Sequence, residues 1–378
     1  MALRHQFSPL RFGQIHPNRI LGRHEFASKT VPCLRPRNSW LHSLATVMGV
    51  NLESVTHSPE RTDYLDGWRG IAIALVLEAH FFSFLPLEAG RMGVDVFFSL
   101  SGFLMSGVLF IQRHPLRKFY KRRISRIVPA FAIFVVSIYA FAYVRGMAFT
   151  GTEFVATLLF LRTYFPVDPG IWASAIPIGH LWSLNIEEHC YIFMSGLILV
   201  QVLRGREGVA LFATGLACIA IGFFYVKLGS SAPKWGDLGT EVAASHLLIS
   251  AGYRLYSDRV SPSIPPWLPI LTLIAAFVCY SSLVPWWSTR LFSPFLLAFT
   301  VNHLSESSKW LRSLLGAPVL KFLGIWSFSI YLWQQPFFAF KAAIPGGSTM
   351  ALVCAMTIGV FSFYVLEQPC RAWLNRIW

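Results

Sequence analysis

Charge is scarce in this chain. Only 13% of its 378 residues are Asp, Glu, Lys or Arg, and 18 acids stand against 32 bases. A soluble protein covers its surface with about a quarter charged residues, so an aqueous globular enzyme is excluded. Cysteine is sparse as well: Cys33, Cys190, Cys218, Cys279, Cys354 and Cys370 are scattered and unpaired in spacing, which rules out a disulfide framework or a zinc site. The chain also lacks the two-histidine helical spacing of a metalloprotease, and no metal is expected. No apolar run before residue 60 is long enough for a signal-peptide core. No internal repeat of the kind carried by many transporters is visible.

What is abundant is apolar. Hydrophobic residues make up 54% of the chain, with 33 Phe and 13 Trp. From residue 64 the apolar windows recur at about the 20-residue length a bilayer requires. The expected spans lie near 65–85, 93–112, 127–145, 187–203, 208–227, 239–255, 267–285, 288–304, 319–341 and 349–367. The shorter stretch 153–165, which contains Arg162, reads as re-entrant or interfacial. The expected fold is therefore all-α, a polytopic membrane bundle of about ten helices. The net charge of +14 lies mostly in short runs between apolar spans, so it reads as a topology signal and not as a nucleic-acid face. Alternate loops collect Arg113 to Arg126, Arg204, Arg206, Arg254, Arg259, Lys309, Arg312, Arg371 and Arg376, which predicts both termini in the cytoplasm.

Residues 1–60 differ in kind, with Arg4, Arg11, Arg19, Arg23, Lys29, Arg35 and Arg37 against few acids. They read as a basic, disordered leader. A true start at Met48 and an organellar transit peptide are the alternatives.

The candidate chemistry begins in the first apolar window. Arg69 and His80 are eleven residues apart, about three helical turns, and so share one face roughly 16 Å apart. Ionisable groups inside a membrane are costly and usually functional. An arginine can hold an anion, and a neutral histidine can take and return a proton; the bland alternative is a packing histidine. Glu78, on another face, is expected to bond to a neighbouring helix. In the second window Asp95 can orient an imidazole, bind a sugar hydroxyl or cap the helix start, while Ser101 and Gly102 allow close helix approach. The dense basic run Arg117 to Arg126 reads as a loop. It suits phosphate oxygens or anionic lipid. The segment His180 to Tyr191 gathers Trp182, Ser183, Asn185, Glu187, Glu188 and His189; Glu187 is expected to bond to other helices or help orient the site.

Five ordered motifs carry a resemblance. They are Leu65-Asp-Gly-Trp-Arg-Gly-Ile-Ala with His80, Gly93-Val-Asp-Val-Phe-Phe-Ser-Leu-Ser-Gly-Phe-Leu, Phe119-Tyr-Lys-Arg-Arg-Ile-Ser-Arg-Ile-Val-Pro, His180-Leu-Trp-Ser-Leu-Asn-Ile-Glu-Glu, and Phe328-Ser-Ile-Tyr-Leu-Trp-Gln-Gln-Pro. Over about residues 62–375 the chain resembles the integral-membrane acyltransferase family 3, which modifies extracytoplasmic glycans and lipids. The resemblance implies a ten-helix bundle, an acyl-CoA donor, catalytic roles for Arg69, His80 and Glu187, and donor binding by Arg69, Arg122, Arg123 and Arg126. Asp95, Ser101, Trp182 and Ser183 become candidates for the acceptor. Three positions depart from the family pattern: Gln334 stands where histidine is common, His189-Cys190 replace Gln-Phe, and Trp68 replaces leucine. No proton chemistry is assigned to Gln334. Because the sequence ends soon after Arg371, the hydrolase-like domain some members append is expected to be absent.

The expected protein is a membrane O-acyltransferase. It would move an acyl group, expected to be acetyl, from acyl-CoA to a hydroxyl of a glycan or glycolipid outside a bacterial inner membrane. Acyl-CoA is a co-substrate, no cofactor is tightly bound, and the partners are membrane lipids and the acceptor, with no nucleic acid. The competing reading is a transporter or flippase of a lipid-linked sugar with a proton-coupled Arg/His site.

Overall fold

A computed structural model describes residues 63–377; the basic leader 1–60 and the alternative start at Met48 lie outside them. Among the described residues the chain is helical throughout and forms no strand. The elements are α1 (Asp63–Phe81), α2 (Ala89–Ser106), α3 (Leu116–Val144), α4 (Gly151–Leu158), α5 (Leu181–Leu199), α6 (Glu207–Leu228), α7 (Thr240–Ala243), α8 (Ser245–Val260), α9 (Leu268–Cys279), α10 (Trp287–Asn302), α11 (Lys309–Leu315), α12 (Pro318–Ala339), α13 (Gly347–Ser362) and α14 (Gln368–Ile377).

Each of the ten expected windows overlaps a helix, but fewer helices than ten meet the demands of a crossing. Those long and apolar enough to span a membrane are Ala89–Ile111, Leu116–Val144, Glu207–Ser231 and Gly347–Ile377; a fifth results if Lys309–Leu315 and Pro318–Ala339, bent by 53°, count as one. The reasons are local. α1 carries Asp63, Asp66, Arg69 and Glu78, α5 carries two glutamates, and α8 ends in Arg254, Asp258 and Arg259. α9 has only 12 residues, about 18 Å at 1.5 Å each, short of a roughly 30 Å hydrocarbon core. The stretch 153–165 splits into the eight-residue α4 and a loop fixed by Arg162, whose fully buried guanidinium bonds to Glu153 at 2.7 Å and to the carbonyls of Pro166 and Pro169 at 3.2 and 2.9 Å.

Two expectations are corrected. The basic run Arg117 to Arg126 is not a loop but the first turns of α3, which continues through Pro129. Glu78 bonds to no other helix. Its Oε1 accepts the backbone N–H groups of Phe84 and Leu85, at 2.5 and 2.9 Å, and ties down the turn after α1.

α1 is the hub, packed against α12 and α2. Small residues permit this contact. A β-carbon on Gly70 would overlap the carbonyl of Leu320, and one on Gly324 the carbonyl of Asp66, so the two backbones touch, as small residues allow between helices in lipid. Trp68, where the family commonly has leucine, is fully buried and donates from Nε1 to the Val96 carbonyl at 3.1 Å, joining α1 to α2. Gly102 meets the backbone of Leu247 in α8 in the same way, as its size predicts.

Gly70→Val should break the α1–α12 seam, with a several-fold loss of folded protein, read as the monodisperse peak of a fluorescent fusion in detergent. A wild-type peak would contradict the close approach.

Candidate active site

The face of α1 between Arg69 and His80 is not packed solid. Ala72, Ile73 and Val76, spaced to share that face, line a cavity with Gly93, Val94, Phe97 and Phe98 of α2, Ser183, Leu184 and Glu187 of α5, and Ser327, Phe328 and Tyr331 of α12. Its lining is apolar except at Ser183, Glu187, Ser327 and Tyr331. A helix with an ionisable group at each end and a cavity between them is unlike a structural packing face.

One helical turn beyond the cavity-lining Val76, and not itself part of the lining, lies His80. Its Nδ1 is 2.7 Å from Oε1 of Gln334, a side chain with no exposure. The Gln334 amide nitrogen points to Gln335 Oε1 at 3.4 Å, so its oxygen accepts from Nδ1–H and the other imidazole nitrogen, Nε2, carries the lone pair. The imidazole stacks on Phe338, 4.4 Å between centroids and 19° between planes. Lys341 lies over the other partner of that stack, 4.8 Å from the Phe338 centroid, and donates to the His80 carbonyl at 2.6 Å. Gln334, to which no proton chemistry was assigned, is thus the hydrogen-bond partner of His80 Nδ1.

His180 belongs to the same end, near enough to His80 for their charges to interact. It is buried, edge-on to Phe134 and Tyr331. Pro336 has no N–H to offer the Leu332 carbonyl four residues back; the His180 ring lies near that carbonyl, but neither of its nitrogens has a hydrogen-bond partner among the described residues. Tyr331 donates to the His180 carbonyl at 2.7 Å, and its hydroxyl pairs with Ser183 Oγ at 2.7 Å.

Deeper along α5, Glu187 is held on three sides. Ser101 Oγ donates to its Oε1 at 2.6 Å, the Tyr191 hydroxyl donates to the same oxygen, and Arg123 Nη2 lies 3.2 Å away. Arg123 also pairs with Glu188 at 3.1 Å and sits 3.7 Å from the Tyr191 ring centroid. Among the expected donor-binding arginines, therefore, Arg123 is committed to internal partners while Arg122 is exposed. Arg126 points elsewhere: it lies close enough to Arg69 for the two cations to repel, and it interacts with Arg371 and Glu367. Arg69 is steadied by Asp66 at 2.8 Å, and Glu367 accepts from Ser329 at 2.6 Å. Arg69, Arg126 and Arg371 thus form a chain of neighbouring cations, with Arg122 interacting with the last, on the Arg69 side of α1 and outside the cavity lining.

Asp95 stands apart. It is fully buried and six residues into α2, so it caps nothing. It lies beside an imidazole, that of His246, with Nδ1 at 3.3 Å but no hydrogen bond between them; Arg91 Nε and the Tyr280 hydroxyl donate to it at 3.0 and 2.9 Å. His246 Nε2 in turn meets Ser293 Oγ at 2.8 Å. The order is that of a Ser-His-Asp triad, yet all three are buried and none lines the cavity. Trp182 packs edge-on to Phe98 and under the Arg91 guanidinium, 5.7 Å from its centroid. Ser101 and Ser183 spend their hydroxyls on Glu187 and Tyr331.

His180, Tyr331, Gln334 and Arg371 were not singled out by the sequence as site residues, although all but Arg371 lie in the quoted motifs. The available signal was the Gln-Gln-Pro triplet, because a proline inside a helix releases a carbonyl that something must satisfy.

Comparison with known proteins adds a second line of observation. Residues 62–367 match the family described as an acyltransferase domain. The chain is 24% identical over 348 residues to the peptidoglycan O-acetyltransferase OatA of Listeria monocytogenes, covering 81% of this chain and 55% of that protein. It is 25% identical over 352 residues to the "Putative peptidoglycan O-acetyltransferase YrhL" of Bacillus subtilis, covering 81% and 54%. The chain spans about half the length of the curated relatives it matches. No solved structure matches it.

Arg123→Gln would leave Glu187 and Glu188 buried without their cation, at a cost of about 3–5 kcal/mol. The measured denaturation midpoint should fall, and adding Glu188→Gln should recover part of it. Equal stability of wild type and Arg123→Gln would show that the arginine is free for a ligand.

Proposed function

Since this chain belongs to the membrane acyltransferase family, we propose that it is an O-acyltransferase that moves an acyl group, most simply acetyl, from acyl-CoA to a hydroxyl of an extracytoplasmic glycan or glycolipid. One observation carries the reading: the cavity between α1, α2, α5 and α12 runs along the α1 face that joins Arg69 to His80. Arginine clusters recognise phosphate, so Arg69, Arg126, Arg371 and Arg122 would hold the donor's phosphates at the cytoplasmic end. The acyl thioester would extend into the apolar cavity, which excludes the water that would otherwise hydrolyse it.

At the other end His80 Nε2 would take the proton of the acceptor hydroxyl. The hydroxyl oxygen then bonds to the thioester carbonyl carbon, the carbon–sulfur bond breaks, and the proton passes from His80 to the departing thiolate. Gln334 keeps Nδ1 protonated throughout and so holds Nε2 toward the substrate. Glu187, its charge balanced by Arg123, would position α5 at the cavity wall. The roles first considered for Ser101, Trp182, Ser183 and Asp95 toward the acceptor are replaced in this reading by scaffolding, because each spends its polar atoms or its ring on a neighbour.

The reading also supposes that α1, α2, α3, α5, α6, α8, α9, α10, α12 and α13 together build about ten crossings with both termini cytoplasmic, in a bacterial inner membrane. It is supported by the charge asymmetry of alternate loops. Helices too polar or too short to cross alone would be sheltered inside the bundle.

His80→Gln should lower kcat by about 10²–10⁴-fold, and Gln334→Leu should lower kcat with the KM of either substrate nearly unchanged, since it frees the tautomer without touching a binding group. Steady-state transfer in nanodiscs reads both; full activity of His80→Gln would sink the assignment. In the same assay Arg126→Gln with Arg371→Gln should raise the donor KM by roughly tenfold or more and lower kcat less. An unchanged donor KM would place the phosphates elsewhere.

A further inference from the structure

A second cavity, of about 210 Å³, opens between the α4–α5 loop and the segment before α7. It is lined by Thr163, Val167, Ile171, Trp172, Lys234 and Trp235 among others. We propose that this cleft binds a pyranose ring of the acceptor glycan, with its apolar C–H face against Trp172 and Trp235 and its hydroxyls toward the Lys234–Asp168 pair. The proposal rests on the acyltransferase reading for the word acceptor, but not for the binding itself.

The cleft is built and held. Trp235 donates from Nε1 to Glu241 Oε1 at 2.5 Å, and Tyr164, edge-on to Trp235 at 5.2 Å, donates to Oε2 of the same carboxylate at 2.8 Å. The Tyr164 hydroxyl also accepts from the Thr240 N–H at 2.7 Å. These bonds fix the Trp235 indole before any ligand arrives. On the opposite wall the loop is pinned from beneath by Arg162, through Glu153 and two carbonyls. Glu153 is bonded in turn by Ser174. Trp172 is 47% exposed, yet a β-carbon on Gly179 would overlap its ring. One part of the indole therefore lies against the backbone immediately before His180, and the rest is open.

This arrangement suits a sugar better than a lipid tail. A carbohydrate ring presents one apolar face and a polar rim, and sites for such ligands combine aromatic faces with a few placed polar groups. Lys234 and Asp168 form an ion pair that leaves both side chains mostly exposed, 62% and 71%, so their remaining donors and acceptors are available at the rim. A lipid tail would bury that pair at a cost. The placement also has a chemical consequence. A ring held against Trp172 lies beside the backbone at Gly179, one residue before His180, and would set the register of the strand relative to that segment.

The test is calorimetric titration of the full chain in nanodiscs with chitotetraose, cellotetraose and maltotetraose, without donor. At least one should bind, and Trp172→Ala and Trp235→Ala should each weaken that binding tenfold or more, while Trp172→Phe and Trp235→Phe retain most of it. Melting temperatures within a few degrees of wild type confirm that the variants are folded. Failure of all three tetrasaccharides to bind wild type overturns the proposal, as does equal binding by wild type and the alanine variants. Because no donor is present in the titration, a failure of the acyl-CoA reading shows separately, as absence of acyl transfer from acyl-CoA to any acceptor by wild type in a second assay.

Discussion

The contact between the backbones of α1 and α12 is the constraint on which the rest of the structure depends. Where glycines let the two helices touch, Asp66 and Arg69 of α1 face the start of α12, and eleven residues on His80 faces Gln334 near its other end. A bulkier seam would separate these pairs and move Tyr331 away from Ser183 and His180. The seam also keeps α2 and α5 at a distance that leaves the cavity open along Ala72, Ile73 and Val76. In a bilayer there is little hydrophobic force to pull helices together, so small residues and interhelical hydrogen bonds must do it. Trp68 to Val96, Ser101 to Glu187 and Ser329 to Glu367 are bonds of that kind.

Polar groups in this interior are sorted by depth. The Arg69 end gathers Arg69, Arg126 and Arg371 around Asp66 and Glu367, the middle holds the balanced Glu187–Arg123–Glu188 group, and around His80 the direct partners are the Gln334 amide, the Phe338 ring and Lys341. The sorting suits a reaction whose donor is anionic and whose acceptor is a hydroxyl. It also explains why one arginine of a dense basic run is unlike the next. On a helix, Arg122 faces outward while Arg123 and Arg126 turn to two different neighbours, one a pair of glutamates and the other a second arginine.

Much of this was legible in the chain itself. Helical period placed Arg69 and His80 on one face, and apolar length located a helix in each expected window. What was not legible was pairing across the sequence. His80 and Gln334 are 254 positions apart, and spacing within one helix says nothing about such partners. The departure from histidine at Gln334 looked like a loss of chemistry, but in the structure it secures the tautomer. Hydropathy also blurred an important boundary. α5 begins at Leu181, whereas the apolar window began at 187, because His180, Ser183 and Asn185 dilute the signal; Ser183 and Leu184, which wall the cavity together with Glu187, lie before that window. Apolar length also ran past helix length in places, since helices such as α9 are apolar but short and do not reach across a hydrocarbon core by themselves.

The central claim is that the cavity along α1 carries the acyl group from the Arg69 end to the His80 end. Val76→Phe tests it most directly, because it fills the cavity while leaving both ends intact. In nanodiscs, binding of adenosine 3′,5′-bisphosphate, the phosphate-bearing part of the donor, should match wild type, whereas acyl transfer should fall by about 100-fold or more, as expected when a reacting group cannot reach its position. Transfer at the wild-type rate by a folded Val76→Phe protein would contradict the account.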